Sequence, residues 1–154
     1  MSAATEAMDE NDRERARLVA LVARLESGEL SRVVHGRWTV AAKLAHLAFW
    51  ERMALGHLER WAAGEEYIHE PPQWYDDILN DALLVESLTL HGAAARQLVL
   101  AAAEDIDGRL RSLEPARAER LLVDHDAAWL VLRYVHRREH LDEIEGVLGG
   151  SFAR

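Results

Sequence analysis

The sequence predicts an all-α protein, a four-helix bundle with long connections between its helices. Three observations carry this. Alanine, leucine, glutamate and arginine dominate the chain, prolines number three, and no run of alternating β-branched residues occurs. A length of 154 residues suits one domain that buries its own core, so residues 1–154 read as a single domain.

Residues 1–10 are polar and small and read as a flexible tail. Leu18, Leu21, Val22 and Leu25 share one helix face and Gly28 stands where a C-cap belongs, so a first helix is expected over Asn11 to Ser27. Gly28 to Trp38 carries two glycines and a Val-Val pair and reads as an extended connection. Thr39 is a suitable N-cap for a long second helix that ends at Gly64. Pro71 and Pro72 make Glu65 to Trp74 a loop. Helical pattern resumes over Asp76 to about Leu88 and Ala93 to Leu113, as two helices or as one kinked at Gly92, and Pro115 closes that region. A last helix is expected to begin near Asp124 or Asp126, either of which could cap it, and to end at Gly149-Gly150. Four long helices with long connections permit non-sequential packing.

Charge and residue usage narrow the chemistry. The formal charge is −9 and the arginines are scattered among glutamates, so a phosphate backbone would be repelled and nucleic acid is not an expected partner. The N-terminal stretch has no basic head followed by an apolar core, and apolar runs such as Leu98 to Ala103 fall far short of the ~20 residues of a membrane span. The chain therefore reads as soluble and cytoplasmic, with no membrane partner. It has no cysteine, which removes disulfides, thiolate metal sites and a Cys nucleophile, so a transition metal would need His, Asp or Glu.

Eight histidines are many for such a chain. On the last helix His136 and His140 share a band with Trp129, Leu132, Glu143 and Val147, at the edge of an apolar sector made by Leu130, Tyr134, Leu141, Ile144 and Leu148. Arg138, Glu139, Asp142 and Glu145 fall on the solvated side. The second helix carries a stripe of His46, Trp50, Met53, His57 and Trp61, which reads as core or as the wall of a pocket. Two imidazoles one turn apart can reach one ion, and a third from a facing helix would complete a three-histidine set with an open position. His46 is the best placed third ligand, although a hydrogen-bonded core histidine gives the same sequence pattern. His136 to His140 also spells H-x-x-E-H, an inverted zinc-peptidase signature, but Glu139 lies about 60° from His136 and about 100° from His140, on the side away from the apolar sector. That signature is rejected.

Gly36 to Glu51, "GRWTVAAKLAHLAFWE", resembles the second-helix signature of the DinB/YfiT-like superfamily, and His136 to Ile144, "HRREHLDEI", resembles its last-helix H-x-x-x-H signature. Trp74 to Leu83, "WYDDILNDAL", adds to the likeness. Ala42 departs from the pattern, since relatives often carry an acid or Gln there to complete a capping box.

The resemblance implies a four-helix bundle of unusual connectivity and a metal site on His46, His136 and His140. It implies a divalent ion, Zn or Ni, and two chemistries. The first is transfer or isomerisation on small electrophiles with a low-molecular-weight thiol of the mycothiol or bacillithiol type, and the second is hydrolysis. A metal-independent protein that removes a reactive small molecule, or a binding module without turnover, fits the same residues. Glu143, one turn beyond His140, would orient an imidazole or accept a proton, or else it is a solvated helix-end glutamate. Trp50, Met53, His57 and Trp129 are the candidate substrate wall. A homodimer is implied by the resemblance alone.

Overall fold

The computed structural model describes residues 1–65, 72–124 and 126–149. Seven α-helices are seen among them: α1 (Ala3–Arg24), α2 (Ser27–Leu30), α3 (Val40–Ala62), α4 (Gln73–Ser87), α5 (Gly92–Arg111), α6 (Pro115–Val123) and α7 (Arg133–Leu148). Two short strands, β1 (Val33–His35) and β2 (Trp38–Thr39), form an antiparallel hairpin. The expected all-α bundle is present. Helix α5 packs on α3 and α1, and α7 packs on α1 and α3, so the order around the bundle is α1, α5, α3, α7. Helix α4 lies outside against α3, and α6 lies against α1. Among the described residues no helix is long and apolar enough to cross a membrane.

Several elements differ from the sequence expectation. The first ten residues are not a frayed tail, because α1 starts at Ala3. Ser2 caps it by accepting from Thr5 N at 3.3 Å, and Ala4 N donates to Glu119 of α6 at 2.9 Å. Ala4 and Ala7 are buried, so this turn is held by tertiary packing that a polar, alanine-rich segment does not advertise. Helix α1 stops at Arg24, and Gly28 lies inside the single-turn α2, which Glu26 and Glu29 close as a reciprocal capping box. The connection to Trp38 is thus a helical turn and a hairpin, with Gly36 at φ 53 making the bend.

Thr39 does cap α3, accepting from Ala42 N at 3.1 Å, and no acid stands in the first turn. The helix runs to Ala62, with Gly64 at φ 96 just beyond. Of the expected loop, residues 66–71 lie outside the described residues, and Gln73 already begins α4. Gly92 separates two helices and is the first residue of α5, where an added Cβ would stand 2.5 Å from Leu30 Cδ1. Pro115 opens α6, since its missing N–H is harmless at a first helical position. The last helix begins at Arg133 rather than near Asp124 or Asp126, because α6 runs to Val123 and a 3₁₀ turn, Ala128–Leu130, intervenes. Gly149 ends α7 at φ 78, as expected of a left-handed cap; Gly150 is outside the described residues.

The interior has two apolar clusters with a charged layer between them. One cluster gathers Leu18, Leu21, Leu44, Leu47, Val99 and Ile144, and the other gathers Leu58, Ile106, Leu110, Leu121, Leu130 and Val131. Between them lie Asn11, Glu51, Asp107, Arg133 and Arg137, all nearly inaccessible to water. Arg137 bonds Glu51 at 2.9 and 3.2 Å, Asp107 at 2.8 and 2.9 Å, and the Asn11 and Ala103 carbonyls at 3.0 and 3.4 Å. Arg133 reaches Glu51 at 3.4 Å and the Trp129 carbonyl at 2.9 Å. Asn11 ties the start of α7 to α1, donating to the Val131 carbonyl at 2.8 Å and accepting from Tyr134 N at 2.7 Å. Burial alone would raise the Glu51 carboxyl, but the two guanidiniums outweigh it and hold the group below its ordinary value.

Candidate metal centre

Helix α3 presents Lys43, His46 and Trp50 along one face, and α7 presents His136, His140 and Glu143 opposite. The i, i+4 pair of α7 sets its rings edge to face with centroids 4.6 Å apart, and His46 meets His136 and His140 at 5.2 and 4.7 Å. Nε2 of His136 lies 3.2 Å from Nε2 of His46 and 3.0 Å from Nε2 of His140. One ligand atom from each of the three residues falls within 4.8 Å of the others, so the three histidines could hold a metal ion.

The nitrogens themselves fit a cation. Nδ1 of His140 faces Glu143 Oε2 at 2.8 Å, which favours a proton on Nδ1 and leaves the Nε2 lone pair directed at His136. A neutral His136 has at most one proton on Nε2, yet that atom faces two other ring nitrogens. If it donates to His140 it cannot accept from His46, and if it accepts from His46 it confronts the His140 lone pair. A cation among three lone pairs removes the conflict. Tetrahedral Zn–N bonds of about 2.0–2.1 Å set ligand nitrogens about 3.3–3.4 Å apart, only slightly wider than the two separations here.

Electrostatics keep the rings neutral. Burial, then the influence of His140 and Lys43, holds His46 down to about 3. His136 is pushed well below its ordinary value by burial, then by His140 and Arg133. His140 is lowered by burial, against the opposing pull of its bond to Glu143. Burial would raise Glu143, but its bonds with His140 and Lys43, the latter at 3.0 Å, leave it lowered. Nδ1 of His46 and Nδ1 of His136 are buried without a hydrogen-bond partner among the described residues.

The other candidates line up beyond the imidazoles. Ring centroids run Trp38 to His46 at 5.3 Å, His46 to Trp50 at 6.4 Å, Trp50 to Trp129 at 6.5 Å and Trp129 to His57 at 5.8 Å. Trp50 also donates to Asn80 of α4 at 3.0 Å. Met53 is half-buried on the same face of α3, and His57 is lowered by burial and then by Arg60. Sequence reasoning missed Lys43 and Trp38. Lys43 sits three and seven residues before His46 and Trp50, on their stripe, so its spacing was the available signal. It is 4 % exposed, with its ammonium 5.5 Å from the Trp38 ring centroid.

The family model of the DinB superfamily matches residues 10–144, which include all three histidines. No curated protein and no solved structure matches the chain.

Proposed function

The chain belongs to the DinB superfamily, and on that premise we propose that it is a divalent-metal-dependent enzyme that joins a low-molecular-weight thiol to a small electrophile. The convergence of three neutral imidazoles on one point is the observation that carries this reading. His46, His136 and His140 would hold the ion, Zn or Ni. A divalent ion with three uncharged ligands keeps its positive charge and supplies Lewis acidity towards a thiol or a water.

The protein's own groups are divided between support and containment. Glu143 holds the His140 ring in place, and with its Oε2 shared between His140 and Lys43 it is suited to positioning rather than to accepting a proton from substrate. That occupancy supports the thiol reading over hydrolysis, because hydrolysis wants a free base to activate water, whereas a thiol brings its own acidic nucleophile. Trp50 and Trp129, with Met53 and His57 further along, supply an apolar wall for the electrophile. The absence of cysteine fits a nucleophile that arrives with the cosubstrate.

Metal analysis of purified protein, joined to thiol-consumption assays over a panel of electrophiles, tests the reading. About one divalent ion per chain is expected, and His140→Ala should lose both the ion and turnover. Activity that survives full removal of the ion would favour a metal-independent enzyme. Saturable binding without product would favour a non-catalytic module, and product formed without thiol would favour hydrolysis.

A further inference from the structure

A cavity of about 490 Å³ opens where α2, the start of α3, the end of α4 and the start of α5 meet. It is separate from His46, His136 and His140. Ala41, which lines it, and His46 lie roughly 140° apart around α3. The protein as a whole is strongly acidic, with 27 Asp and Glu against 18 Lys and Arg, yet none of the residues lining this cavity is acidic. They include Arg96, His91 and several hydroxyls instead.

Three features converge on it. The first is the amino end of α5, a helix of 20 residues whose N-cap, His91, makes no side-chain hydrogen bond to the first turn. The leading N–H groups of a helix have no internal partner, and together with the helix dipole they favour an anion. The second is Ser87, which is 2 % exposed and whose hydroxyl has no hydrogen-bond partner among the described residues. A buried hydroxyl without a partner is costly unless something else fills the role. The third is Arg96. One guanidinium nitrogen, Nη2, donates to the Leu25 carbonyl at the end of α1, while Nε is buried and unpartnered among the described residues. Gly92 itself is explained by the Leu30 side chain against it.

We propose that this cavity binds the phosphate group of a small phosphorylated molecule, held by the first-turn N–H groups of α5, the Arg96 guanidinium and the Ser87 hydroxyl. A tetrahedral oxyanion offers several oxygens to donors that approach from different sides, which suits a guanidinium, a hydroxyl and a helix end together. The cavity is larger than the anion, so the phosphate would carry an organic group. This site does not depend on the proposed metal chemistry.

Amide NMR of the full chain, titrated with inorganic phosphate and with glycerol 3-phosphate at constant ionic strength, tests it. Saturable shifts are expected at the Gly92, Ala93 and Ala94 amides. Tighter binding of the ester is expected of a carried phosphate; equal binding would keep the oxyanion site but overturn the organic group. Ser87→Ala should weaken binding about tenfold, the loss of one hydrogen bond to a charged group, while leaving thermal stability unchanged or raised because an unpaired hydroxyl has been removed. Arg96→Gln should weaken it further. If neither probe gives saturable shifts at these amides, or if affinity is the same in Ser87→Ala and Arg96→Gln as in the parent protein, the proposal is overturned.

Discussion

Replacing Arg137 by methionine should destabilise the protein far more than its position on an arginine-rich helix suggests. The side chain is fully buried and makes six hydrogen bonds, four of them to the carboxylates of Glu51 and Asp107. Methionine fills similar space, so the chief loss is charge compensation rather than volume. Glu51 would keep only the longer contacts from Arg133 at 3.4 Å, and Asp107 only the half-buried Arg15 at 2.9 Å. Removing one partner of a buried pair costs about 3–5 kcal/mol. At about 2–4 °C per kcal/mol for a chain of this size, the midpoint should fall by about 6–20 °C. Calorimetry and urea unfolding followed by two probes would measure it, with Arg13→Ala, an exposed partner of Glu10, as a control expected to cost at most about 1 kcal/mol. Adding Glu51→Leu to the Arg137→Met background should cost less than the two single effects summed, since each single change strands the other charge. A loss below about 1 kcal/mol for Arg137→Met, or strict additivity in the pair, would refute the reasoning.

Four further outcomes follow from the structure. Glu51 has a folded value below its ordinary 4.5, so its contribution is complete above that pH and is lost as pH falls through the lower folded value; acid unfolding of the parent protein should steepen below about pH 4.5, and Glu51→Gln should flatten that arm. His46 sits at about 3 against an ordinary 6.5, with His136 and His140 also lowered, so the unfolded chain takes up these protons first; metal-free protein should lose stability as pH drops below 6.5, and a flat profile in chelator would contradict the neutral triad. Glu143→Gln should weaken binding of the ion about 10–100-fold by isothermal titration while leaving the stoichiometry unchanged, as expected of a group that orients a ligand. Thr39→Ala should cost about 1 kcal/mol in urea unfolding through loss of the α3 cap.

The features legible in the sequence were those that local rules encode. Thr39 announced a helix start because its hydroxyl satisfies a backbone N–H, and Gly149 announced a stop because its φ of 78 suits glycine. The histidines were legible because i, i+4 spacing and an inward stripe bring imidazoles together whatever the loops do. The start of α1 was not, since small residues such as Ala4 and Ala7 show no amphipathic period and are buried only by tertiary contacts. The 3₁₀ turn before α7 and the short α6 were hidden for a similar reason: Asp124 and Asp126 look like caps, but the chain spends them on a turn in which Asp126 N bonds Asp124 Oδ1 at 3.1 Å. The charged layer escaped because a pattern of apolar and polar residues assigns arginine to solvent. A trace was present: the inward sector of α7 runs Leu141, Ile144 and Leu148, and the position one turn before them that should be apolar is Arg137.

That layer also limits how this sequence can drift. Its five side chains come from four helices, and a neutral path through single substitutions of its four charged members is closed because each intermediate carries a stranded charge. Relatives should therefore either keep the set or have exchanged several members together for an apolar layer. The same bonds fix the rotation of α7 about its own axis, with Arg137 directed at Glu51 and Asp107. A lineage that gave up the set would need some other means of keeping His136 and His140 turned towards His46, so its loss should travel with changes at the histidines.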